Sequence, residues 1–350
     1  MTHESRTSAL REALDGPLLV TKAANLRYLT GYVGSNGFLL VDEARAVFVT
    51  DGRYGEIAEG LMADIEGSEV VVYTEKLAET LAATFKGDVT IEAEAVTLAF
   101  ATSLQEASSA ELLPGGGAVE KLRRVKDESE VAKLRAAAAA GDGALAQIDR
   151  LLSAAETERD LAWGIVTEMK AAGGDIASWE PIVAVDANAA RPHHETGNTA
   201  LGDGLLLLDY GCVVDGYHSD MSRTLWRGAT EPTSDVQRLY DAVLEAQEAA
   251  VAVVGPGATA GDVDAAARSV LEAAGLGEYF LHSTGHGVGL EIHEEPWVRK
   301  GSDDVLEPGH VITVEPGAYV TGIGGVRIED MVLVTPTGSE VLTRSAKELT

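Results

Sequence analysis

Cysteine is nearly absent from this chain of 350 residues, and long apolar runs are missing altogether. The single cysteine, Cys212, excludes an intrachain disulfide, which is typical of proteins from a reducing compartment. No apolar run approaches the roughly 20 residues that a helix needs to cross a bilayer. The start of the chain is mixed and charged and contains no signal-peptide core, so we expect a soluble, cytoplasmic protein.

Positive charge is also scarce. The chain has 27 lysine and arginine residues against 56 aspartate and glutamate residues, which gives a formal net charge of −29. A surface this negative repels phosphate backbones and anionic lipid headgroups, so nucleic acids and membranes are excluded as expected partners. The apolar fraction of 45% predicts a folded globular protein rather than a disordered one.

Two domains are expected, because 350 residues exceed what one hydrophobic core usually holds. The first part of the chain alternates short strands and helices, with strands predicted at residues 18–21, 37–41, 46–50, 70–73 and 89–92. A Leu-Pro-Gly-Gly-Gly breaker at 113–117 indicates the domain boundary. We therefore predict an α/β domain over residues 1–120 and an α+β domain over residues 121–350.

The second domain combines helices with strand-rich blocks. Hydrophobic periodicity predicts helices at residues 121–140, 156–172, 239–254 and 262–274. Strand-rich blocks at 203–227 and 309–335 contain most of the polar residues of interest. No repeat of fixed length is visible, which excludes solenoids and propellers.

One strand-rich block predicts a hairpin that brings two aspartates together. Apolar segments flank Asp215-Gly216, a signal for a type I′ turn. A two-residue turn there places Asp220 opposite Gly211, two positions from Asp209, so both carboxylates share one face of the sheet. A buried carboxylate is costly unless it is compensated, and a cation between the two would compensate both. A bulge in either strand would instead place them on opposite faces.

Other unusual positions follow later in the chain. His282, His286 and His293 occur within twelve residues, among glycines whose spacing does not fit a dinucleotide-binding loop. Glu315 and Glu329 each lie in or at the end of an apolar, β-branched strand. For Glu329 an ion pair with Arg327 is the rival explanation, but that pair leaves Glu315 and the two aspartates unexplained.

These residues together indicate a metal site. A set of four carboxylates and one imidazole suits hard or borderline divalent ions such as Mn²⁺, Co²⁺ or Zn²⁺. A structural zinc site would instead contain several cysteines or histidines. Four carboxylates exceed what one ion needs, so the sequence favours two ions that share bridging carboxylates.

The order Asp209, Asp220, His286, Glu315 and Glu329 resembles the creatinase and methionine-aminopeptidase family of "pita-bread" metallopeptidases, and in particular its proline-peptidase branch. Matching stretches run through most of the chain. They are Asn25-Leu-Arg-Tyr-Leu-Thr-Gly31, Thr50-Asp-Gly-Arg-Tyr54, Arg124-Val-Lys-Asp-Glu128, Pro192-His193, Ser219-Asp-Met-Ser-Arg-Thr224, Gly285-His-Gly-Val-Gly289, Val314-Glu-Pro-Gly317 and Gly325-Val-Arg-Ile-Glu-Asp330.

The resemblance implies a pita-bread catalytic domain that binds two divalent metal ions, Mn²⁺ foremost. Asp220 and Glu329 would bridge the two ions. Asp209 would complete one site, and His286 and Glu315 the other. The implied nucleophile is a water activated by both ions, with Glu315 placed to take its proton.

The resemblance also implies roles for residues that bind no metal. His193 and His293 would contact the substrate or the leaving group, and His282 resembles a pocket residue near the proline ring. Arg327 would orient carboxylate ligands. His194 has no clear counterpart in the family.

The resemblance further implies the substrate and the partner. The substrates are peptides with proline at the second position, and the N-terminal domain resembles one that packs against a partner subunit, so a homodimer is expected. Some dipeptidases of this branch place an arginine directly after the His-Glu-x-Pro stretch to hold the substrate carboxylate. Here Trp297 follows Pro296, and Arg299 lies two residues further on.

The tryptophan favours an Xaa-Pro aminopeptidase over an Xaa-Pro dipeptidase (prolidase). An amidinohydrolase-like enzyme is a further alternative, although creatinase itself lacks the metal ligands. The alternative of another class is a non-catalytic binding module on a pita-bread scaffold. All five ligand types are present, which argues against both.

Overall fold

A six-stranded mixed sheet organises Met1–Arg123, the first of two units into which the chain divides. The computed structural model comprises residues 1–350. The strands, in the spatial order β4-β3-β2-β1-β5-β6, are β1 (Leu18–Val20), β2 (Gly37–Val41), β3 (Ala46–Asp51), β4 (Ser68–Tyr73), β5 (Val89–Glu92) and β6 (Leu112–Gly115). The helices are α1 (His3–Ala13), α2 (Ala23–Thr30), α3 (Gly55–Met62), α4 (Leu77–Thr84), α5 (Leu98–Ala107) and α6 (Ala118–Arg124).

All five strands predicted in this unit are present, and those at 37–41 and 89–92 have the predicted bounds. The interpretation of 113–117 only as a breaker was wrong, because Leu112–Gly115 forms the edge strand β6, parallel to β5. Pro114 is compatible with a strand here, since an edge strand needs fewer backbone donors. The proline and glycines of the segment concealed a strand that takes its register from its neighbour.

The second unit, Arg124–Thr350, contains four small sheets and five α-helices. The helices are α7 (Glu128–Leu145), α8 (Ile148–Ala154), α9 (Glu158–Ala171), α10 (Ser234–Val253) and α11 (Ala260–Ala273). The first sheets have the orders β11-β10-β7 and β12-β9-β8, from β7 (Ile176–Ala177), β8 (Ile182–Val185), β9 (Gly204–Tyr210), β10 (Cys212–Val214), β11 (Tyr217–His218) and β12 (Met221–Arg227). The others are β14-β13-β15-β18-β19 and β16-β17, from β13 (Gly285–Gly287), β14 (Glu294–Val298), β15 (Val311–Val314), β16 (Gly317–Val320), β17 (Gly324–Arg327), β18 (Asp330–Thr335) and β19 (Gly338–Val341).

The single helix predicted at 121–140 was wrong in its extent, because the chain leaves the helix between α6 and α7. The backbone N–H of Lys126 donates to the carbonyl of Gly309 at 2.9 Å, and its ammonium pairs with Glu294 at 2.7 Å. Asp127 then begins α7 with a capping box that includes Glu130. A buried ion pair to a residue far along the chain therefore replaces one helical turn.

The main core of this unit lies between α10, α11 and the strands that follow them. The apolar faces of the two helices, with Val243 and Val263, pack in one cluster with Ile312 and Val332. This packing fixes the strands whose ends carry the acidic residues of interest. No helix of the chain has the length and apolar character needed to span a membrane.

A buried ionic network lies next to β18. Arg223 and Asp330 are 1% and 0% exposed, and their ion pair measures 2.8 Å. Asp330 also accepts hydrogen bonds from Thr343 at 2.7 Å and Gln247 at 2.9 Å, and it pairs with Lys347 at 2.5 Å. Burial opposes the ionisation of Asp330, but the charges of Arg223 and Lys347 outweigh it and lower its pKa.

Replacing Asp330 with asparagine should therefore destabilise the protein, because it leaves the buried Arg223 guanidinium without its counter-charge. We expect the free energy of unfolding to fall by about 3–5 kcal/mol. The measurement is urea unfolding in the presence of a chelator, so that metal binding does not contribute. Asp235→Asn, which breaks an exposed pair with Arg238, is the matched control and should cost under about 1 kcal/mol. Equal losses in the two variants would contradict the role of burial.

Candidate metal centre

One pocket of the second unit brings together every site residue predicted from the sequence. Its volume is about 400 Å³. The predicted residues that line it are His193, Asp209, Asp220, His282, His286, His293, Glu315, Arg327 and Glu329. Trp179, Ile182, Pro192, Ser283, Ile292 and Trp297 complete the wall. The acidic residues thus lie at the base of a cleft with apolar side chains around them.

The hairpin has the geometry that its turn predicts. Asp215 and Gly216 have φ angles of 46° and 81°, both positive as a type I′ turn requires. The register continues without a bulge, because Val213 pairs with His218 near the turn and Asp209 pairs with Ser222 further along. Asp209 near the end of β9 and Asp220 just before β12 therefore face the same pocket.

Glu329 is the most buried carboxylate of the pocket. It links β17 to β18, is 1% exposed, and its Oε2 accepts a hydrogen bond from Ser222 Oγ at 2.9 Å. Its second oxygen, Oε1, is buried with no hydrogen-bond partner. Since buried polar atoms are nearly always paired, this oxygen is where a cation would be expected.

His286 is oriented by its backbone surroundings. The flanking glycines allow close approach, since a Cβ at Gly285 would lie 2.0 Å from the carbonyl oxygen of Thr313. The ring Nδ1 lies 3.0 Å from the carbonyl oxygen of Gly287, which can only accept, so Nδ1 carries the proton. The lone pair of Nε2 then points to the acids, 3.5 Å from Asp220 Oδ2 and 3.3 Å from Glu315 Oε1.

The electrostatics of the pocket oppose the ionisation of its innermost acids. Burial raises the pKa of Asp220 well above its usual value, and the charges of Glu329 and Asp209 raise it further. Burial and the charges of Glu315 and Asp209 do the same to Glu329. Both shifts have the sign expected of carboxylates that lack a counter-ion.

Glu315 differs from these two acids. Burial opposes its ionisation, but the contact with His286 and the positive charge of Arg327 lower its pKa to about 2. It is therefore the acid of the set that the protein itself stabilises as a carboxylate. The pKa of Asp209 is raised as well, because the effect of burial exceeds that of the nearby positive charge of Arg327, which lowers it.

The donor set fits divalent metal. Ligand atoms of Asp220, His286 and Glu329 all lie within 4.8 Å of one another. A divalent cation would give the unpartnered carboxylate oxygen a partner and would offset the charge of the two acids with raised pKa values. It would also accept the free lone pair of the imidazole. Asp209 and Glu315 would complete the coordination of two ions.

Arg327 pairs with Asp209 rather than with Glu329. Its Nη2 donates to Asp209 Oδ2 at 2.5 Å, its Nε to Ser222 Oγ at 2.8 Å and its Nη1 to Tyr319 Oη at 2.7 Å. Tyr319 Oη in turn lies 2.9 Å from Nε2 of His282. The rival explanation of Glu329 as half of a plain ion pair with Arg327 is therefore wrong.

The three pocket histidines with no ligand role in the prediction lie in different settings. His282 is held at both ring nitrogens, by Tyr319 and by the carbonyl of Ser283, and burial lowers its pKa. His293 lies at the rim, with its ring 4.4 Å from that of His286. His193 is an exposed residue of the loop after β8.

Sequence reasoning missed two polar side chains that lie behind the pocket wall and bond to the residues that line it. Ser222 contacts both Glu329 and Arg327, and strand alternation could have found it, since it lies two residues from Asp220. Tyr319 connects Arg327 to His282, and no pattern in the sequence marks it. Its role depends on the pairing of β16 with β17, which the sequence does not encode locally.

A two-domain α+β chain with a buried carboxylate and imidazole set that fits divalent metal is the architecture of a metal-dependent hydrolase. Residues 132–336 match the model of metallopeptidase family M24, and residues 6–125 match that of the creatinase/prolidase N-terminal domain. The chain belongs to metallopeptidase family M24. The predicted family, the pita-bread fold and the assignment as a peptidase are confirmed, and the alternative of a non-catalytic binding module is discarded.

Relatives extend over nearly the whole chain. The chain is 36% identical to the peptidase YqhT of Bacillus subtilis, over 96% of this chain and 95% of the relative. An Xaa-Pro dipeptidase structure from Bacillus anthracis has a TM-score of 0.94 at 37% identity, covering 99% of both chains. An X-Pro aminopeptidase structure from Thermotoga maritima has a TM-score of 0.88 at 29% identity, covering 98% of this chain and 99% of the other.

Replacing Glu329 with glutamine should abolish the binding of at least one of the two metal ions, because a neutral amide is a weak ligand and cannot offset the charge of the ions. Elemental analysis after dialysis against Mn²⁺ measures the effect. We expect two equivalents in the wild-type protein and at most one in the variant. Glu248→Gln, at an exposed position of α10, is the control and should retain both. Two tightly bound equivalents in Glu329→Gln would contradict the proposed ligand.

Proposed function

We propose that this metallopeptidase is an Xaa-Pro aminopeptidase, which releases the N-terminal residue from peptides that have proline at the second position. The observation that carries the choice within the family is the charge of the pocket wall. Four acidic side chains line the pocket, and Arg327 is its one arginine or lysine. A substrate group that adds negative charge is therefore unfavourable unless a free cation receives it.

Arg327 has one N–H donor left for that purpose, because four of its five guanidinium donors are bonded within the protein. All three side-chain nitrogens already donate, to Ser222, to Tyr319 and Pro192, and to Asp209. Drawing the guanidinium to a substrate carboxylate would break these bonds and leave Asp209 without its partner. Arg327 is thus a structural cation of the site rather than a substrate clamp.

Trp297 lies in the pocket wall at the sequence position where some dipeptidases of this branch have an arginine that binds the substrate carboxylate. Its ring lies against those of His293, at 6.5 Å, and His286, at 6.3 Å between ring centroids. Arg299 is exposed and does not line the pocket. An apolar wall accommodates the neutral amide that follows proline in a longer peptide better than the carboxylate that ends a dipeptide.

An Xaa-Pro dipeptidase is the second candidate. It is favoured by the Bacillus anthracis structure, whose name is that of a dipeptidase and which has the higher TM-score and identity of the two structures described. Both candidates hydrolyse the bond before proline, so they differ in the length of the peptide they accept. A comparison of peptide lengths separates them.

The proposal includes two Mn²⁺ ions held by Asp209, Asp220, His286, Glu315 and Glu329, since oxygen-rich sets favour this class of ion. When bound, divalent ions of such a site lower the pKa of water and polarise the scissile carbonyl. Glu315 is the carboxylate we assign to accept a proton, and its surroundings lower its pKa. His193 and His293, both exposed at the pocket, would contact the substrate, while His282 shapes the wall.

The location and the assembly complete the proposal. We assign the protein to the cytoplasm as a homodimer. The single, buried Cys212 is compatible with a reducing compartment. The homodimer rests on the family resemblance alone.

Peptide length tests the function. The protein is stripped with a chelator, which should abolish activity, and reloaded with Mn²⁺, which should restore it. We expect kcat/KM for Xaa-Pro-Yaa tripeptides to exceed that for the matching Xaa-Pro dipeptides about 10-fold, because an unpaired charge in the pocket is costly. Xaa-Ala-Yaa peptides serve as the control for proline. A wild-type preference for dipeptides would support the second candidate, and full activity without metal would overturn both.

Replacing Trp297 with arginine should raise kcat/KM for Xaa-Pro dipeptides relative to tripeptides, because the new guanidinium can receive the substrate carboxylate. A charged hydrogen bond is worth roughly 1.5–3 kcal/mol, so the ratio should change ~10-fold or more. Trp297→Gln, which removes the indole without adding charge, is the control and should not change the ratio. A parallel loss of both activities in Trp297→Arg, with a lower melting temperature, would assign Trp297 to packing instead.

A further inference from the structure

We infer that Glu158, a residue outside the pocket, is a positioning residue that holds the loop between β8 and β9 and through it the pocket residue His193. The inference deepens the proposed function, since it rests on His193 contacting the substrate. The loop comprises residues 186–203 and contains only one turn of 3-10 helix, at Asp186–Asn188. A loop with so little regular structure needs other contacts to hold a side chain in place.

Glu158 supplies those contacts from beneath the loop. Its side chain is fully buried at the start of α9. Oε1 accepts hydrogen bonds from the backbone N–H of Val185 at 3.1 Å and from Asn188 Nδ2 at 2.8 Å. Oε2 accepts from the backbone N–H of Gly197 at 3.2 Å and lies 2.9 Å from His194 Nε2. One carboxylate thus bonds to the last residue of β8 and to three points along the loop.

The two adjacent histidines face different surroundings. His193 lines the pocket with Pro192, whose carbonyl accepts a hydrogen bond from Arg327 at 3.4 Å. His194 instead contacts Glu158, and only 8% of its side chain is exposed. Because the two residues are directly bonded in sequence, fixing His194 on the carboxylate restricts the backbone that orients His193. This gives a role to His194, for which the family resemblance offered none.

The chemistry of Glu158 supports a dedicated anchor. A buried carboxylate is expensive to keep, and an apolar residue would serve packing equally well. Here burial opposes ionisation, but the bonds from Asn188, His194 and the backbone outweigh it and lower the pKa of Glu158. An ionised carboxylate can accept all four bonds at once, whereas no neutral side chain of similar size can.

A double-mutant cycle tests the link between Glu158 and His193. Glu158→Ala is assayed on Xaa-Pro-Yaa peptides in the wild-type and in the His193→Ala backgrounds, both loaded with Mn²⁺. We expect a loss of kcat/KM of roughly 10–100-fold in the first background, with metal content unchanged. In the second background the further loss should be under about 2-fold, since the residue being positioned is already gone. Glu156→Ala, at an exposed position before α9, is the matched control and should have no effect.

A measurement without substrate separates the role of Glu158 in holding the loop from the proposed peptidase function. Hydrogen exchange of the backbone amides of Val185 and Gly197, which donate to Glu158, should accelerate in Glu158→Ala and remain unchanged in Glu156→Ala. If wild-type protein cleaves no proline peptide, the proposed function fails, and the exchange data still decide whether Glu158 holds the loop. Unchanged exchange, or equal losses of kcat/KM in both backgrounds, would overturn the inference. If Glu158→Ala does not fold, the same double-mutant cycle is measured with Glu158→Gln and with His194→Ala.

Discussion

Mutual repulsion among four carboxylates in one buried pocket is the constraint on which the rest of this unit depends. Asp209, Asp220, Glu315 and Glu329 converge with a single guanidinium between them. The protein compensates part of this charge itself, through Arg327 on Asp209. Asp220 and Glu329 accept no bond from an arginine or a lysine, and the unpartnered oxygen of Glu329 is where a metal ion would supply the remaining compensation.

Contacts around the pocket hold the backbone of the acidic residues in place against that repulsion. The acids project from the ends of paired strands, and the strand after Glu329 is fixed by the buried Asp330 and Arg223 pair. Arg223 also donates to the backbone carbonyls of Ser222 and Glu329. The backbone that carries a strained carboxylate is therefore held by bonds that do not involve its side chain. Outer contacts of this kind orient the side chains that bind a metal.

The sequence encodes those features of the fold and the site that depend on short-range rules. The Asp215-Gly216 turn fixes the hairpin register, so the shared face of Asp209 and Asp220 could be predicted and is observed. Long-range pairings could not be predicted. The break between α6 and α7 depends on Lys126 meeting Glu294, and strand β6 depends on β5. The bond between Arg327 and Asp209 and the contact between Glu158 and His194 are also long-range, and no local sequence pattern predicts them.

The uninterrupted register of the hairpin restricts how this segment can vary in length. Successive side chains of a strand alternate between faces, so one residue added to one strand would turn its aspartate away from the pocket. Residues added in equal number to both strands near the turn would preserve the pairing of Asp209 with Ser222. The base of the hairpin therefore tolerates no change in the length of one strand alone, because such a change would separate the two aspartates.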